Sequence, residues 1–175
     1  MSYYVVDVET DGAIPPKYSM VCFGVVKLTP ELDTTFYGKT RPISDLWIPE
    51  ALAVSGFSRE EHQQFDEPEK VMKEFVDWIE STTKGRPVFI SDNNGFDFAW
   101  ISYYMWMFVG RNPFGWSSRR IGDIYCGMKM DMFVKWKWLR DHDKYPHNHH
   151  PLSDALSNAS AILKMQEMGL KMRLK

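Results

Sequence analysis

At 175 residues, against roughly 150 residues per domain, the chain reads as one domain over 1–175. Hydrophobic residues at 44% and charged residues at 25% describe a soluble globular protein, and exclude collagen-like, coiled-coil and disordered classes. A net charge of −2 excludes a basic nucleic-acid clamp in bulk, so any phosphate binding must come from a local patch or from metal ions.

In chain order, residues 3–8 are β-branched and aromatic and predict a buried strand. Residues 10–17 carry Gly12, Pro15 and Pro16 and predict a loop. Strands are expected over 19–28 and 34–40, and connections this short favour antiparallel neighbours. A Pro-flanked loop then leads to a short helix near Ser58-Arg-Glu-Glu61, a capping-box pattern. Residues 68–81 place Val71, Phe75 and Ile79 at helical spacing. A short buried strand is expected at 88–90, a helix over 96–109, a fifth strand within 119–124 and a helix from there to about 138. Residues 139–150 form a polar, His-rich loop, and the last helix runs from 151 to about 168. The order implies an α/β fold: a mixed sheet whose first three strands are antiparallel, with helices on its faces.

The two cysteines, Cys22 and Cys126, and an N-terminus without a basic, apolar leader fit a reducing, cytoplasmic location. No window approaches the ~20 apolar residues of a membrane span, so no membrane partner is expected. Aromatics at 15%, with seven Trp, exceed what the core needs, and some are expected on a binding surface or at a homodimer contact.

Three short motifs carry chemistry. Asp7-Val8-Glu9 ends the first strand, and carboxylates two apart share one side of the pleat. Asn93-Asn-Gly-Phe-Asp97 follows a buried strand and opens an aromatic helix. His149-His-Pro-Leu-Ser-Asp154 leads into the last helix, with Pro151 at its first position. The apolar stripe Leu152, Ala155, Leu156, Ala159, Ile162 and Leu163 sets Asp154 off that helix's core face. Each motif alone is as well explained by a solvated strand end, a helix cap or a loop imidazole. Together they bring four carboxylates and one imidazole to element ends. Converging carboxylates repel, by about 1 kcal/mol per pair at 4 Å in water and about 4 at an effective dielectric of 20. Hard divalent cations such as Mg²⁺ or Mn²⁺ relieve that repulsion.

With these motifs the chain resembles the DEDDh 3′–5′ exonucleases, on an RNase H-like fold, over roughly residues 3–165. Asp7-Val-Glu-Thr-Asp-Gly12 resembles the family's first motif, Asp92-Asn-Asn-Gly-Phe-Asp97 its second, and His149 with Asp154 its His-x4-Asp third. The stretch 49–61 resembles the family's loop-and-capped-helix segment, and Asp123 an Asp that often opens the helix before the third motif, for which a supporting role is expected. Asp92 stands where the family often has His, and His147 and His150 miss the third motif's spacing. The resemblance implies a five-stranded sheet. It implies two Mg²⁺ or Mn²⁺ ions on Asp7, Glu9, Asp97 and Asp154, with His149 as general base. It implies stepwise hydrolysis of a single strand from its 3′ end to nucleoside 5′-monophosphates, with RNA favoured over DNA because small stand-alone members often act on RNA. Thr10, Gly12, Asn93, Phe96, Trp47 and Trp100 are candidate substrate contacts, with Phe57 a further aromatic beside the motifs. Arg119, Arg120, Lys135 and Lys137 are candidates for tracking upstream phosphates. A 3′–5′ DNA exonuclease, free-standing or a proofreading partner of a polymerase, a small-nucleotide phosphodiesterase and a non-catalytic binding module are the rival readings.

Overall fold

A computed structural model describes residues 1–172. Five strands, β1 (Ser2–Thr10), β2 (Met20–Lys27), β3 (Thr35–Lys39), β4 (Pro87–Ser91) and β5 (Ser118–Arg120), lie in the order β3-β2-β1-β4-β5. β1, β2 and β3 pair antiparallel, while β4 and β5 continue parallel from β1. This is the expected mixed RNase H-like sheet, and β1 is the strand at which pairing changes sense. In open α/β sheets ligands gather beyond the carboxyl ends of strands at such switch points.

Among the described residues, six α-helices accompany the sheet: α1 (Pro49–Val54), α2 (Arg59–Gln63), α3 (Pro68–Thr82), α4 (Asn94–Phe108), α5 (Ile121–Lys129) and α6 (Pro151–Glu167). A 3-10 turn spans Lys137–Leu139. Strand alternation divides the core. Tyr4, Val6 and Val8 of β1 pack on one face with Phe75 of α3 and Trp100, Ile101 and Tyr104 of α4. Val5 packs on the other face with Ile121 and Tyr125 of α5 and Ala155, Ala159 and Ile162 of α6. Asp7 and Glu9 share the parity of Val5 and so continue the α6 side of β1. Among the described residues, no helix is long and apolar enough to cross a membrane.

Three boundaries differ from the sequence expectations. The loop before Ser58 contains α1, opened by Pro49 at its first turn. The fifth strand is Ser118–Arg120, because Ile121 and Ile124 sit at helical spacing and pack into the α6 layer rather than extending the sheet. The helix that follows ends at Lys129, not near 138: Met130 turns left-handed at φ 53°, and the chain then runs irregularly to the 3-10 turn. The apolar residues 134, 136 and 139, which mimic a continuing helix, pack against the α6 layer from this irregular segment.

One glycine sets where α6 begins. A Cβ on Gly24 of β2 would lie 2.3 Å from the Leu152 backbone nitrogen and 2.4 Å from the Pro151 carbonyl carbon. Gly24 is the register partner of Asp7. Its missing side chain lets the first turn of α6 rest on the sheet beside that aspartate. Gly24→Ala is expected to destabilise the protein by about 1–3 kcal/mol through overpacking, and to lower the hydrolysis that the family resemblance implies by lifting Asp154 away from β1. Urea melts and turnover measured on the same samples test this; a variant with unchanged turnover would show that α6 docking does not set the site.

Candidate active site

The carboxyl ends of β1 and β4 and the first turn of α6 meet at one place. The β1–β2 register slips between Glu9 and Thr10, so the strand bends as it leaves the sheet at Glu9. Asp97 comes from the first turn of α4, just beyond β4. Asp154 comes from the first turn of α6. It is only 1% exposed, which corrects the reading of its helical position. α6's own apolar stripe leaves Asp154 to one side, but the sheet at Gly24 and the loop before the helix close that side. Its carboxylate accepts hydrogen bonds from the backbone N–H groups of Asn148 at 3.0 Å and His149 at 3.2 Å.

His149 sits in that loop at φ 61° with its side chain 60% exposed, and its Nδ1 lies 3.7 Å from Glu9 Oε1. Glu9, His149 and Asp154 each offer a donor atom within 4.8 Å of the others. His147, outside the motif spacing, places Nδ1 2.9 Å from Asp154 Oδ1. His150 stacks on Tyr37 with ring centroids 5.0 Å apart and stays out of the cluster.

Burial and neighbouring charge raise the proton affinity of Asp7, Glu9 and Asp97. Burial pushes Asp7 well above the ordinary carboxylate range, and the charges of Asp97, Asp154 and Glu9 push it further, against the opposing pull of Arg140. Burial, then Asp154 and Asp97, raise Glu9 to about 7. Burial, then the Asp92 charge, raise Asp97 to about 7 despite hydrogen bonds from Ser91 and the backbone of Val8 and Asn93. Asp97 Oδ2 is buried with no hydrogen-bond partner. An orphaned carboxylate oxygen in a cluster of like charges is what a divalent cation would satisfy, and the all-oxygen carboxylate set suits Mg²⁺ or Mn²⁺. The residues present therefore fit the ions that the fold implies.

Behind the cluster lies a cation that the sequence reading missed. Arg140 is 6% exposed. It donates to Asp92 Oδ2 at 3.1 Å and to Asn158 Oδ1 at 2.7 Å, and lies over the Trp136 ring at 4.9 Å. Lys137 also reaches Asp92 Oδ2, at 2.9 Å. Asp92, where the resemblance leads one to expect His, thus anchors the segment 137–140 to the second motif. Its pairing partner is 48 residues away in sequence, so only the fold exposes it. Arg140→Ala leaves Asp92 and Asn158 without that donor, and a loss of about 3 kcal/mol is expected. A urea midpoint equal to wild type would remove Arg140 from this role.

The candidate substrate contacts divide. Trp100 is 1% exposed in the α3–α4 core, between Phe96 and Tyr104; no base can reach it, and it is withdrawn as a stacking residue. Thr10 is buried and donates its hydroxyl to Gly12 O at 2.7 Å. Gly12 is required by Tyr18, whose ring would lie 2.1 Å from a Cβ there. Both therefore shape the loop after Glu9, and their side-chain positions face the protein interior. Phe96 is half-buried and lines an open groove of about 500 Å³ with Asn93, Asn94, Gly95 and Arg120. Trp47 is 38% exposed under the Arg59 guanidinium at 5.7 Å, and Ile48 N–H donates to Asp11 O at 2.8 Å in the first motif. Phe57 packs on Phe65, away from the groove. Asp123 pairs with Arg120 at the surface, 3.1 Å apart, outside the carboxylate cluster.

No family model matches the chain. Over 139 residues, 77% of this chain and 72% of the relative, it is 38% identical to the 3′–5′ DNA exonuclease Cap18 of Escherichia coli. It is similar in structure to cell-death related nuclease 4 (TM-score 0.73, 16% identity), over 96% of this chain but only 64% of that one. A 3′-exonuclease described as recognising the 3′ end of the histone mRNA stem-loop gives TM-score 0.75 at 18% identity, over 99% of this chain and 84% of that one. E. coli exonuclease I bound to single-stranded DNA gives 0.72 at 17%, over 97% and 41%. At these identities the solved structures carry the fold, whereas the 38% relative covers enough of both chains to carry kinship. With the carboxylates of its three motifs converging at the sheet's switch point, the chain belongs to the DEDDh family of 3′–5′ exonucleases.

Proposed function

We propose that the chain removes nucleotides one at a time from the 3′ end of single-stranded DNA, releasing nucleoside 5′-monophosphates. The placing of Asp7 and Glu9 at the end of β1 with Asp97 and Asp154 in the first turns of α4 and α6, and a buried Asp97 Oδ2 that has no hydrogen-bond partner, carries this reading. In it these four residues hold two divalent ions, Mg²⁺ or Mn²⁺. Such a pair, when bound, stabilises the charge on the attacking and leaving oxygens of an in-line displacement at phosphorus. His149, the exposed imidazole beside Glu9, takes the proton of the attacking water and passes it to solvent. The water oxygen bonds to phosphorus as the bond from phosphorus to the upstream 3′ oxygen breaks, and that oxygen takes a proton from solvent to become the new 3′ hydroxyl. Asp154 holds the His149 backbone in place through its N–H. Asn93 and Phe96, on the groove that opens from the second motif, receive the terminal nucleotides.

The resemblance alone favours RNA, through the habits of small members of the family. The 38% relative is named for DNA, and the choice of sugar proposed here rests on it. The test is digestion of 5′-labelled DNA and RNA of one sequence with Mg²⁺, Mn²⁺ or EDTA, with Asp7→Ala and His149→Ala alongside. A one-nucleotide ladder on DNA, lost in EDTA and in both variants, is expected. Faster RNA digestion would overturn the sugar; intact strands under all conditions would overturn the nuclease reading of the site.

A further inference from the structure

We propose that the segment between α5 and the 3-10 turn, with the start of α5, is the platform that binds the upstream part of the single-stranded substrate. This rests on the nuclease reading above and deepens it. Residues 119–137 carry five exposed basic side chains (Arg119, Arg120, Lys129, Lys135, Lys137) against two acids, Asp123 and Asp131, in a chain whose net charge is −2. The local charge is thus opposite in sign to that of the whole protein. Large apolar side chains are interleaved with it and turned to solvent: Phe133 is 92% exposed, Met132 81% and Trp138 64%.

Local geometry holds them there. Met130 ends α5 in a left-handed conformation at φ 53°, which costs a non-glycine residue about 1–2 kcal/mol. Asp131 Oδ1 then accepts from the Phe133 N–H at 2.9 Å, fixing the turn that presents the ring. Trp136 turns inward and anchors the segment in the α6 layer, so that Lys135, Lys137 and Trp138 remain outside.

The platform is continuous with the active site. Lys137 reaches Asp92 Oδ2, and Arg120 donates to Asp92 O at 3.2 Å, both one residue before Asn93. Arg120 also closes the groove lined by Asn93 and Phe96. A strand whose 3′ end lies at the carboxylates would leave through that groove past Arg120, to meet Lys135, Phe133 and Trp138. Exposed aromatics with interleaved cations are how proteins hold single strands without reading sequence, bases stacking on rings while cations follow phosphates. A purely apolar partner would gain nothing from the lysines, whereas a single strand engages cations and rings together. The occupant that fits is therefore the polyanionic substrate itself.

The test compares wild type with Phe133→Ala/Trp138→Ala and with Lys135→Ala, none of which touches the carboxylate cluster. Each hydrolyses two substrates, a 20-nucleotide DNA and a dinucleotide too short to leave the groove. The aromatic double variant is expected to raise KM for the 20-mer at least tenfold with kcat and dinucleotide hydrolysis unchanged. Lys135→Ala is expected to lower the magnitude of the log–log salt slope of 20-mer binding by about 0.7, the contribution of one phosphate contact on a single strand. Equal KM values for wild type and the double variant on the 20-mer would overturn the platform while leaving the nuclease intact. So would a wild type that sediments as a dimer while the double variant is a monomer, since the patch would then join copies of the chain. A wild type inactive on both substrates would instead overturn the nuclease reading, and the platform with it.

Discussion

Asp97→Asn is expected to abolish hydrolysis, by about a thousandfold or more, and at the same time to make the metal-free protein more stable. The two effects have one cause. Asp97 is 2% exposed and is held near pKa 7 by burial and by the Asp92 charge. Keeping it ionised at neutral pH therefore costs on the order of a few kcal/mol relative to an unperturbed carboxyl. Asn is nearly isosteric, retains an acceptor for the Ser91 and backbone hydrogen bonds, and brings no charge. It cannot replace an anionic ligand for a divalent ion, so the transition-state stabilisation such an ion supplies is lost. At about 2–4 °C per kcal/mol for a chain of this size, thermal melts in EDTA at pH 8 are expected to rise by about 5 °C. A variant that is inactive and less stable would point to plain structural damage.

The same charges predict how stability follows pH. A carboxyl whose folded pKa lies above its unfolded value binds its proton more tightly when folded, so its contribution is complete below the unfolded value and is lost as pH rises through the folded one. For Glu9 and Asp97 that window runs from about 4 to about 7. In EDTA the melting temperature is expected to fall between pH 5 and pH 8, and millimolar Mg²⁺ to recover most of the loss at pH 8. A melting temperature independent of pH and of Mg²⁺ would mean that Glu9 and Asp97 are not held above the ordinary carboxylate range.

What could be read from the sequence was local. The period-2 pattern of β1 places Asp7 and Glu9 on one side, and strand polarity brings the β4–α4 turn beside them. Pro151 marks the first turn of α6, and Asp154 with it. What could not be read depends on contacts far apart in the chain. Asp154 reads as off-core from the stripe of its own helix, but Gly24, on a different strand, lets that helix settle onto the sheet and bury it. Trp100 reads as core sooner than as a stacking residue, and it is α3 and Tyr104 that enclose it. Arg140 gave no signal, because its partners Asp92 and Asn158 lie in the second motif and in the middle of α6.

His149 is expected to be needed for turnover and dispensable for metal binding. Its backbone is fixed, since its N–H donates to Asp154 Oδ2 at 3.2 Å, but its imidazole is exposed and makes no close contact, the nearest carboxylate oxygen being 3.7 Å away on Glu9. The left-handed φ of 61° is a strained state for a residue with a Cβ, of order 1–3 kcal/mol, and such strain persists where the surroundings over-determine it. Here the ties from Asn148 and His149 to Asp154 supply that constraint, holding an exposed base at the mouth of a buried anionic site. Positioned general bases typically contribute 10²- to 10⁴-fold. His149→Gly is the informative variant because glycine relieves the left-handed strain. It is expected to be at least as stable as wild type, to bind Mn²⁺ with similar affinity, and to lose roughly 10²-fold or more in kcat. His147→Ala removes the other nearby imidazole, whose Nδ1 contacts Asp154 Oδ1. It is expected to keep most of the turnover. If kcat is lost in His147→Ala and kept in His149→Gly, the proton goes to the ring on Asp154, and the base is two residues earlier than the motif spacing selects.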